Sequence, residues 1–186
     1  MVIDSASGLT RPAVAPLPPL TLVLGGARSG KSRHAEMLIE AHGSGLYLAT
    51  AEPGDHEMAA RIEAHRARRG AAWTTIEEPL ELTAALARHS RADRPILVDC
   101  LTLWLSNLML SGRDLDAATQ GLVECLSGLA GPVVLVSNEV GLGIVPDNAQ
   151  ARRFRDGAGR LNQAVAAGCQ QVVLVAAGLP LILKQG

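Results

Sequence analysis

The chain has 186 residues, enough for one domain with a full core, and a formal net charge of −1, which gives no general reason to expect nucleic acid or an anionic membrane as partner. Aromatic residues are only 2% of the chain, which argues against a base-stacking platform, and the three cysteines (Cys100, Cys125, Cys169) are widely spaced, as suits reduced thiols in the cytoplasm rather than a disulfide framework or a zinc site. The longest apolar runs, around 96–110 and 172–183, are short or interrupted by Asp99 and Asn107, so no membrane-spanning helix is expected.

Residues 1–18 are rich in proline and small side chains and lack the basic start and long apolar stretch of a signal peptide. They are predicted to form a flexible N-terminal arm ahead of a single domain over 19–186. Thr21–Leu24 reads as a buried strand, and Ser32–Ile39 as the first turns of a helix. A second strand is predicted at Leu46–Thr50, followed by a helix that Asp55 can cap and that runs to about Arg69. A short strand at Trp73–Ile76 and a helix near Leu80–Arg88 come next. Ile96–Asp99 is a strand entering an apolar helix, Leu101–Leu110. Leu115, Ala118, Leu122 and Leu126 fall at helical spacing, and Gly131-Pro132 stops that helix. Val133–Val136 is a strand, Asp147 can cap a helix from Ala149 to about Ala166, Val172–Val175 is a strand, and Leu181–Lys184 is a possible edge strand.

The strands are continuous Val/Leu/Ile runs rather than alternating ones, as expected when both faces of a sheet are covered. Strand and helix alternate along the chain, which implies a mostly parallel sheet between two helix layers. No internal repeat and no second domain is visible.

Between the first strand and the first helix lies Gly25-Gly26-Ala27-Arg28-Ser29-Gly30-Lys31-Ser32, which fits G-x-x-x-x-G-K-[ST]. The glycines let the backbone curl so that its N–H groups and the helix N-terminus converge on an anion. In that setting Lys31 reaches the β- and γ-phosphates and Ser32 is a ligand for Mg²⁺. A chance glycine-rich turn would not come with the flanking strand and helix. The expected fold class is therefore an α/β P-loop NTPase of the RecA-like kind, a three-layer sandwich.

Ligands bind such sheets at the carboxyl ends of the strands. Asp99 ends an apolar strand, in the manner of the acid that holds Mg²⁺ directly or through water; the alternative is a helix N-cap for Leu101 onward. Ser137-Asn138-Glu139 end a later strand ahead of Gly141-Leu142-Gly143, and either contact a nucleotide or substrate phosphate or form a plain polar turn. In the helix over 55–69, Met58, Ile62, His65 and Arg69 share one face, with Arg61 one turn before His65 and Arg68 and Arg69 one turn after. The arginines favour the neutral, nucleophilic imidazole and attract phosphate. A solvated basic face is the competing reading. His34 lies near the glycine loop; His42, His56 and His89 sit near helix ends and read as surface residues. No histidine pair has metal-ligand spacing backed by a third ligand.

The stretch Gly25–Glu36 resembles the opening signature of the bifunctional adenosylcobinamide kinase / adenosylcobinamide-phosphate guanylyltransferase family (the CobU/CobP type). Further stretches agree in the family's order: Tyr47–Ala51, Glu57–Ile62 with His65, Trp73–Glu77, Val98–Thr102 with Asn107-Leu108, Val136–Pro146, and Phe154–Asp156 with Gly159–Gln163. The resemblance covers about residue 20 to about residue 176.

That resemblance implies two reactions. ATP or GTP phosphorylates the aminopropanol hydroxyl of adenosylcobinamide. GTP then guanylylates an enzyme histidine with release of pyrophosphate, and the GMP passes to adenosylcobinamide phosphate, giving adenosylcobinamide-GDP. The family's nucleophile falls on His65, preceded here by Ala64 where some relatives carry a second histidine. The family's nucleotide contacts fall on Gly25, Gly26, Ala27, Arg28, Ser29, Gly30, Lys31 and Ser32, on Ala49, Thr50 and Ala51, on Arg66, Ala67, Arg68 and Arg69, and on Glu77 and Asp99. Some relatives have Glu where this chain has Asp99. Relatives form trimers, and the apolar Leu101–Leu110 helix is where such contact is expected. The alternatives are another P-loop small-molecule kinase without guanylyltransferase activity, and a nucleotide-gated binding protein.

Overall fold

In the computed structural model, which describes residues 16–51 and 73–186, the elements follow in the order β1 (Leu20–Gly25), α1 (Lys31–Glu40), β2 (Gly45–Ala49), β3 (Trp73–Glu77), α2 (Leu82–His89), β4 (Ile96–Asp99), α3 (Leu101–Leu110), α4 (Leu115–Ser127), β5 (Val133–Asn138), α5 (Ala149–Gly168), β6 (Gln171–Ala176) and β7 (Leu179–Gln185). The seven strands form one sheet in the order β3-β2-β4-β5-β1-β6-β7, parallel except for β7, which pairs antiparallel with β6. Residues 1–15 of the arm predicted over 1–18, and the whole of the predicted helix over 55–69, lie outside the described residues.

The sheet is covered on both faces, which is why its strands read as continuous apolar runs. On one face Leu22, Leu24, Leu48, Val98 and Leu135 pack with Leu86, Leu101, Leu105, Leu122 and Leu161 from α2, α3, α4 and α5. On the other, Val23, Leu97, Val134, Val136 and Val173 pack with Ala35 and Ile39 of α1. Each fully buried Leu or Val contributes about 1.5–3 kcal/mol relative to exposure. Trp104 lies wholly in the first layer, and its indole N–H donates to the Leu80 carbonyl at 2.9 Å, so its one polar atom is satisfied.

Several expectations are corrected in detail. The cap of α5 is Asn148, not Asp147: the Asn148 side chain accepts from the Ala151 N–H at 2.7 Å, the third-residue donor that a cap must reach, and Asp147 stands one residue too early. α4 ends at Ser127, before Gly131-Pro132, with Gly128 as its cap. β5 continues to Asn138, so Ser137 and Asn138 belong to the strand. Most of the apolar side chains of the Leu101–Leu110 helix go into the core, which leaves Leu110 exposed and Leu103 and Met109 half-buried at its surface. The buried ones are Leu101, Trp104, Leu105 and Leu108. Exposed apolar side chains are also found on β7, at Leu179, Leu181, Ile182 and Leu183. β7 is also longer than the predicted edge strand, because a two-residue turn at Ala177 (φ 51) and Gly178 (φ 79) folds it directly back onto β6.

Candidate active site

The loop between β1 and α1 has the geometry that its glycines predict. Gly30 has φ 96, a left-handed conformation, and is the N-cap of α1; Arg28 is also left-handed, with φ 56. Gly25 has no room for a side chain, since a Cβ there would stand 2.6 Å from the Val175 carbonyl oxygen. The loop is held internally by Ser29 N–H to the Gly26 carbonyl (3.3 Å) and externally by Gly178 N–H to the Ser29 carbonyl (2.8 Å). The β6–β7 turn thus braces the loop from the side. α1 has no acidic residue in its first turn and no side-chain cap, so its N-terminus keeps its attraction for an anion. The Lys31 ammonium folds over the loop and donates to the Gly26 carbonyl at 3.2 Å. Ser32 follows in the same turn, half-buried.

Strand register gathers the other predicted residues at the same end of the sheet. Glu77, Ala49, Asp99, Val136 and Val23 form one row of Cα partners across β3, β2, β4, β5 and β1. Gly25 and Asn138, themselves register partners, lie two residues further toward the carboxyl ends. Glu77 is exposed at the end of β3, and Ala49 and Ala51 are half-buried around the end of β2.

Asp99 is half-buried, and its Oδ2 accepts from the Tyr47 hydroxyl at 2.7 Å. It does not cap α3, whose N-cap is Cys100 with no side-chain cap bond. Thr50 is fully buried, and its hydroxyl is already committed: it donates to the Cys100 carbonyl (2.8 Å) and accepts from the Cys100 N–H (2.9 Å). Its side chain therefore locks the end of β2 to the end of β4. Asn107 completes this brace by donating to the Thr50 and Pro79 carbonyls at 2.8 and 3.1 Å.

His65, Arg66, Ala67, Arg68 and Arg69 lie outside the described residues. His34 is half-buried on α1, and burial lowers its pKa. Burial, with the Asp99 carboxylate adding to it, pushes the Cys100 thiol up, so this cysteine beside the site is a poor nucleophile. Among the described residues no three His, Cys, Asp or Glu side chains gather as a metal cluster, and no helix is long and apolar enough to cross a membrane.

Tyr47, Thr102, Asn107 and Asn162 support the site; they fall within the stretches that carry the family resemblance but were given no site role of their own. Tyr47 sits in an apolar strand and reads locally as core. Thr102 and Asn107 are polar interruptions of an apolar helix, and beyond that their only signal is membership of the stretch that resembles the family. Past β5, Glu139 donates its N–H to the Gly25 carbonyl at 3.1 Å and turns its Oε1 onto the Gly141 N–H at 2.6 Å, so the following loop starts against the glycine loop. That loop leaves Leu142, Ile144 and Val145 exposed.

Comparison with known proteins agrees with this arrangement. Two solved structures share the fold: the flagellar accessory protein FlaH from Methanocaldococcus jannaschii (TM-score 0.52, 12% identity, 91% of this chain and 80% of that one) and the RadB recombinase (TM-score 0.52, 14% identity, 85% of this chain and 75% of that one). At those identities the likeness concerns the fold alone, the RecA-like P-loop sandwich. Closer in sequence is the bifunctional adenosylcobalamin biosynthesis protein CobP of Pseudomonas aeruginosa, 54% identical over 166 residues, covering 88% of this chain and 96% of that protein. The protein CobU of Escherichia coli is 42% identical over 180 residues, covering 89% of this chain and 99% of that one. The profile of the cobinamide kinase / cobinamide phosphate guanyltransferase family matches residues 21–183, and the chain, with its braced phosphate loop and its aspartate at the end of β4, belongs to that family.

Proposed function

We propose that this bifunctional enzyme carries its two reactions on one nucleotide cradle and one histidine. The cradle, Gly25–Ser32, serves the phosphorylation of adenosylcobinamide. His65 takes GMP from GTP and passes it to adenosylcobinamide phosphate, giving adenosylcobinamide-GDP. The observation that carries the kinase assignment is the pairing of a glycine loop, braced by Gly178, with the Asp99 carboxylate at the carboxyl end of the same sheet. Such a cradle lowers the barrier by placing positive charge and N–H groups around the group in flight, without a covalent step. Guanylyl transfer between two bulky substrates gains from a covalent step, which splits one hard displacement into two. Family membership disfavours a plain P-loop kinase that lacks the second reaction.

The chemistry of the donors suits Mg²⁺. Ser32 offers a hydroxyl, and the Asp99 carboxylate has one oxygen taken up by Tyr47 and a second oxygen for a cation or its waters. A hard cation held by one or two protein oxygens, with phosphates and water completing its shell, matches that supply. When bound, Mg²⁺ neutralises charge on the β- and γ-phosphates. Ala49, Thr50, Ala51 and Glu77, along the ends of β2 and β3, are assigned to the nucleotide's surroundings, as are Arg66, Ala67, Arg68 and Arg69. Thr50 acts there by fixing backbone. ATP and GTP are both assigned as phosphate donors. The exposed apolar side chains of β7 support a homo-oligomer. A trimer is assigned by the family resemblance alone, and the cytoplasm by the widely spaced cysteines that suit reduced thiols.

Incubation with GTP labelled at the α-phosphorus tests this reading. Wild-type protein should acquire acid-labile, alkali-stable label, and His65→Ala should acquire none while still phosphorylating adenosylcobinamide. Label retained by the variant would assign the nucleophile elsewhere, with His34 and Lys31 the next candidates. Product formed by wild type without any protein label would remove the covalent step.

A further inference from the structure

The strand order inserts β5 between β1, which carries the glycine loop, and β4, which carries Asp99. The residue that ends β5 therefore lies between the strand of the phosphate cradle and the strand of the aspartate. That residue is Asn138, the register partner of Gly25. Along β5, Val134 and Val136 pack on the α1 side of the sheet, and Asn138 is next in the alternation. Asp99 follows Leu97 on the same side of β4. Both polar side chains thus belong to the face on which Lys31 opens α1.

The backbone of Asn138 is fixed at both ends by side chains from separate helices. Its N–H donates to the Thr102 hydroxyl at 2.8 Å, and its carbonyl accepts from the Asn162 amide at 3.1 Å. Thr102 and Asn162 are themselves buried. The side chain held in place by this clamp has an Oδ1 that is buried and without a hydrogen-bond partner. Buried acceptors are nearly always paired, so an unpaired one on an immobilised backbone, next to a phosphate cradle, points to a donor that arrives with substrate.

We propose that Asn138 is a catalytic residue of the kinase reaction, its Oδ1 accepting a hydrogen bond from the substrate hydroxyl that attacks the terminal phosphoryl group. This rests on the assignment of Gly25–Ser32 as the kinase cradle. In the step, the hydroxyl oxygen forms the new O–P bond and the bond from the γ-phosphorus to the β,γ-bridging oxygen breaks. The nucleoside diphosphate leaves with that electron pair, and the hydroxyl proton passes to an oxygen of the transferred group and on to water. The amide takes up no proton; it orients the hydroxyl so that a lone pair faces phosphorus, a positioning effect. The hydroxyl takes no part in guanylylation of the protein, so Asn138 is dispensable there.

Asn138→Ala is the test, measured as kinase kcat and KM, nucleotide Kd, label transferred to the protein from GTP, and Tm. The expected result is a fall in kinase kcat of about 10²-fold. Nucleotide Kd and protein labelling should stay within about threefold of wild type, and Tm should be no lower, since the deleted acceptor was unpaired. Kinase kcat within about threefold of wild type would overturn the proposal. So would a parallel loss of kinase, labelling and nucleotide affinity, or a fall in Tm that accounts for the lost activity. Were Asn138→Ala not to fold, Asn138→Leu, of similar shape and without hydrogen-bonding atoms, takes its place with the same outcomes. Absence of any phosphorylation by wild type would overturn the kinase cradle itself; loss of both reactions in Lys31→Ala, with loss of kinase alone in Asn138→Ala, upholds both.

Discussion

The hydroxyl of Tyr47 donates a 2.7 Å hydrogen bond to Asp99 Oδ2, joining the middle of β2 to the end of β4. Tyr47 is buried, and its ring meets Trp73 edge-on with centroids 6.0 Å apart, so the phenol is held by packing before it holds the carboxylate. The bond fixes which oxygen of Asp99 faces the cradle. Tyr47→Phe should leave the fold intact at a cost of about 1 kcal/mol. Metal-dependent turnover should fall about tenfold as the carboxylate gains freedom. Thermal melts and steady-state kinetics across a magnesium titration check this; unchanged magnesium dependence would dissociate Tyr47 from the metal-facing role of Asp99.

Asp99→Asn should weaken turnover in Mg²⁺ much more than nucleotide binding in the presence of a chelator, because the carboxylate acts through the cation. Equal losses of both would give the residue a folding role. The hydrogen bond from Tyr47 survives the substitution, since an amide oxygen still accepts, so packing around Tyr47 is a constant of the comparison.

Lys31→Ala should depress both reactions by roughly 10²–10³-fold, in line with the loss of one fixed donor to a developing phosphoryl charge. Among the described residues its ammonium bonds to the Gly26 carbonyl at a solvent-exposed site, so Tm should change little. Near-normal kinase turnover, with ATP and GTP both tried, would remove Lys31 from the chemistry.

Alkaline stability should report Cys169. Burial pushes its thiol from 9.0 up to about 11, so the folded state holds the proton more tightly than the unfolded one. The stability this contributes is fully present below the unfolded value and is lost as pH rises through the folded value. Between about pH 9 and 11 the protein should lose on the order of 2 kcal/mol from this group. Chemical denaturation over that window should be steeper in wild type than in Cys169→Ala; identical slopes would place the pH dependence elsewhere.

Much of the architecture is written locally. Continuous apolar runs such as Val133–Val136 give strands covered on both faces, and the G-x-x-x-x-G-K-[ST] pattern between a strand and a helix gives the cradle. Asp99 at the end of an apolar strand was legible as a site residue for the same reason, since strand ends face the ligand side of a parallel sheet. Helix 101–110 was legible in extent, and most of its apolar residues are spent on the core, but the sequence did not say which elements they meet there. Burial is a property of what packs against a face, and periodicity alone does not name the neighbour.

Within the described residues the sequence alone was enough for the order of strands and helices and for the phosphate loop, and its motifs pointed to the family. The tertiary structure alone decided which elements are adjacent. Tyr47 and Asp99 are 52 residues apart, and Asn138 meets Asn162 and Thr102 from 24 and 36 residues away. Parallel strands pair only through crossovers, so a strand's neighbours are set by long-range hydrogen bonding that leaves no mark on the strand's own residues. Asn138, readable in sequence either as a contact to a nucleotide or substrate phosphate or as a plain polar turn, acquires its place between Gly25 and Asp99 only because β5 inserts between β1 and β4.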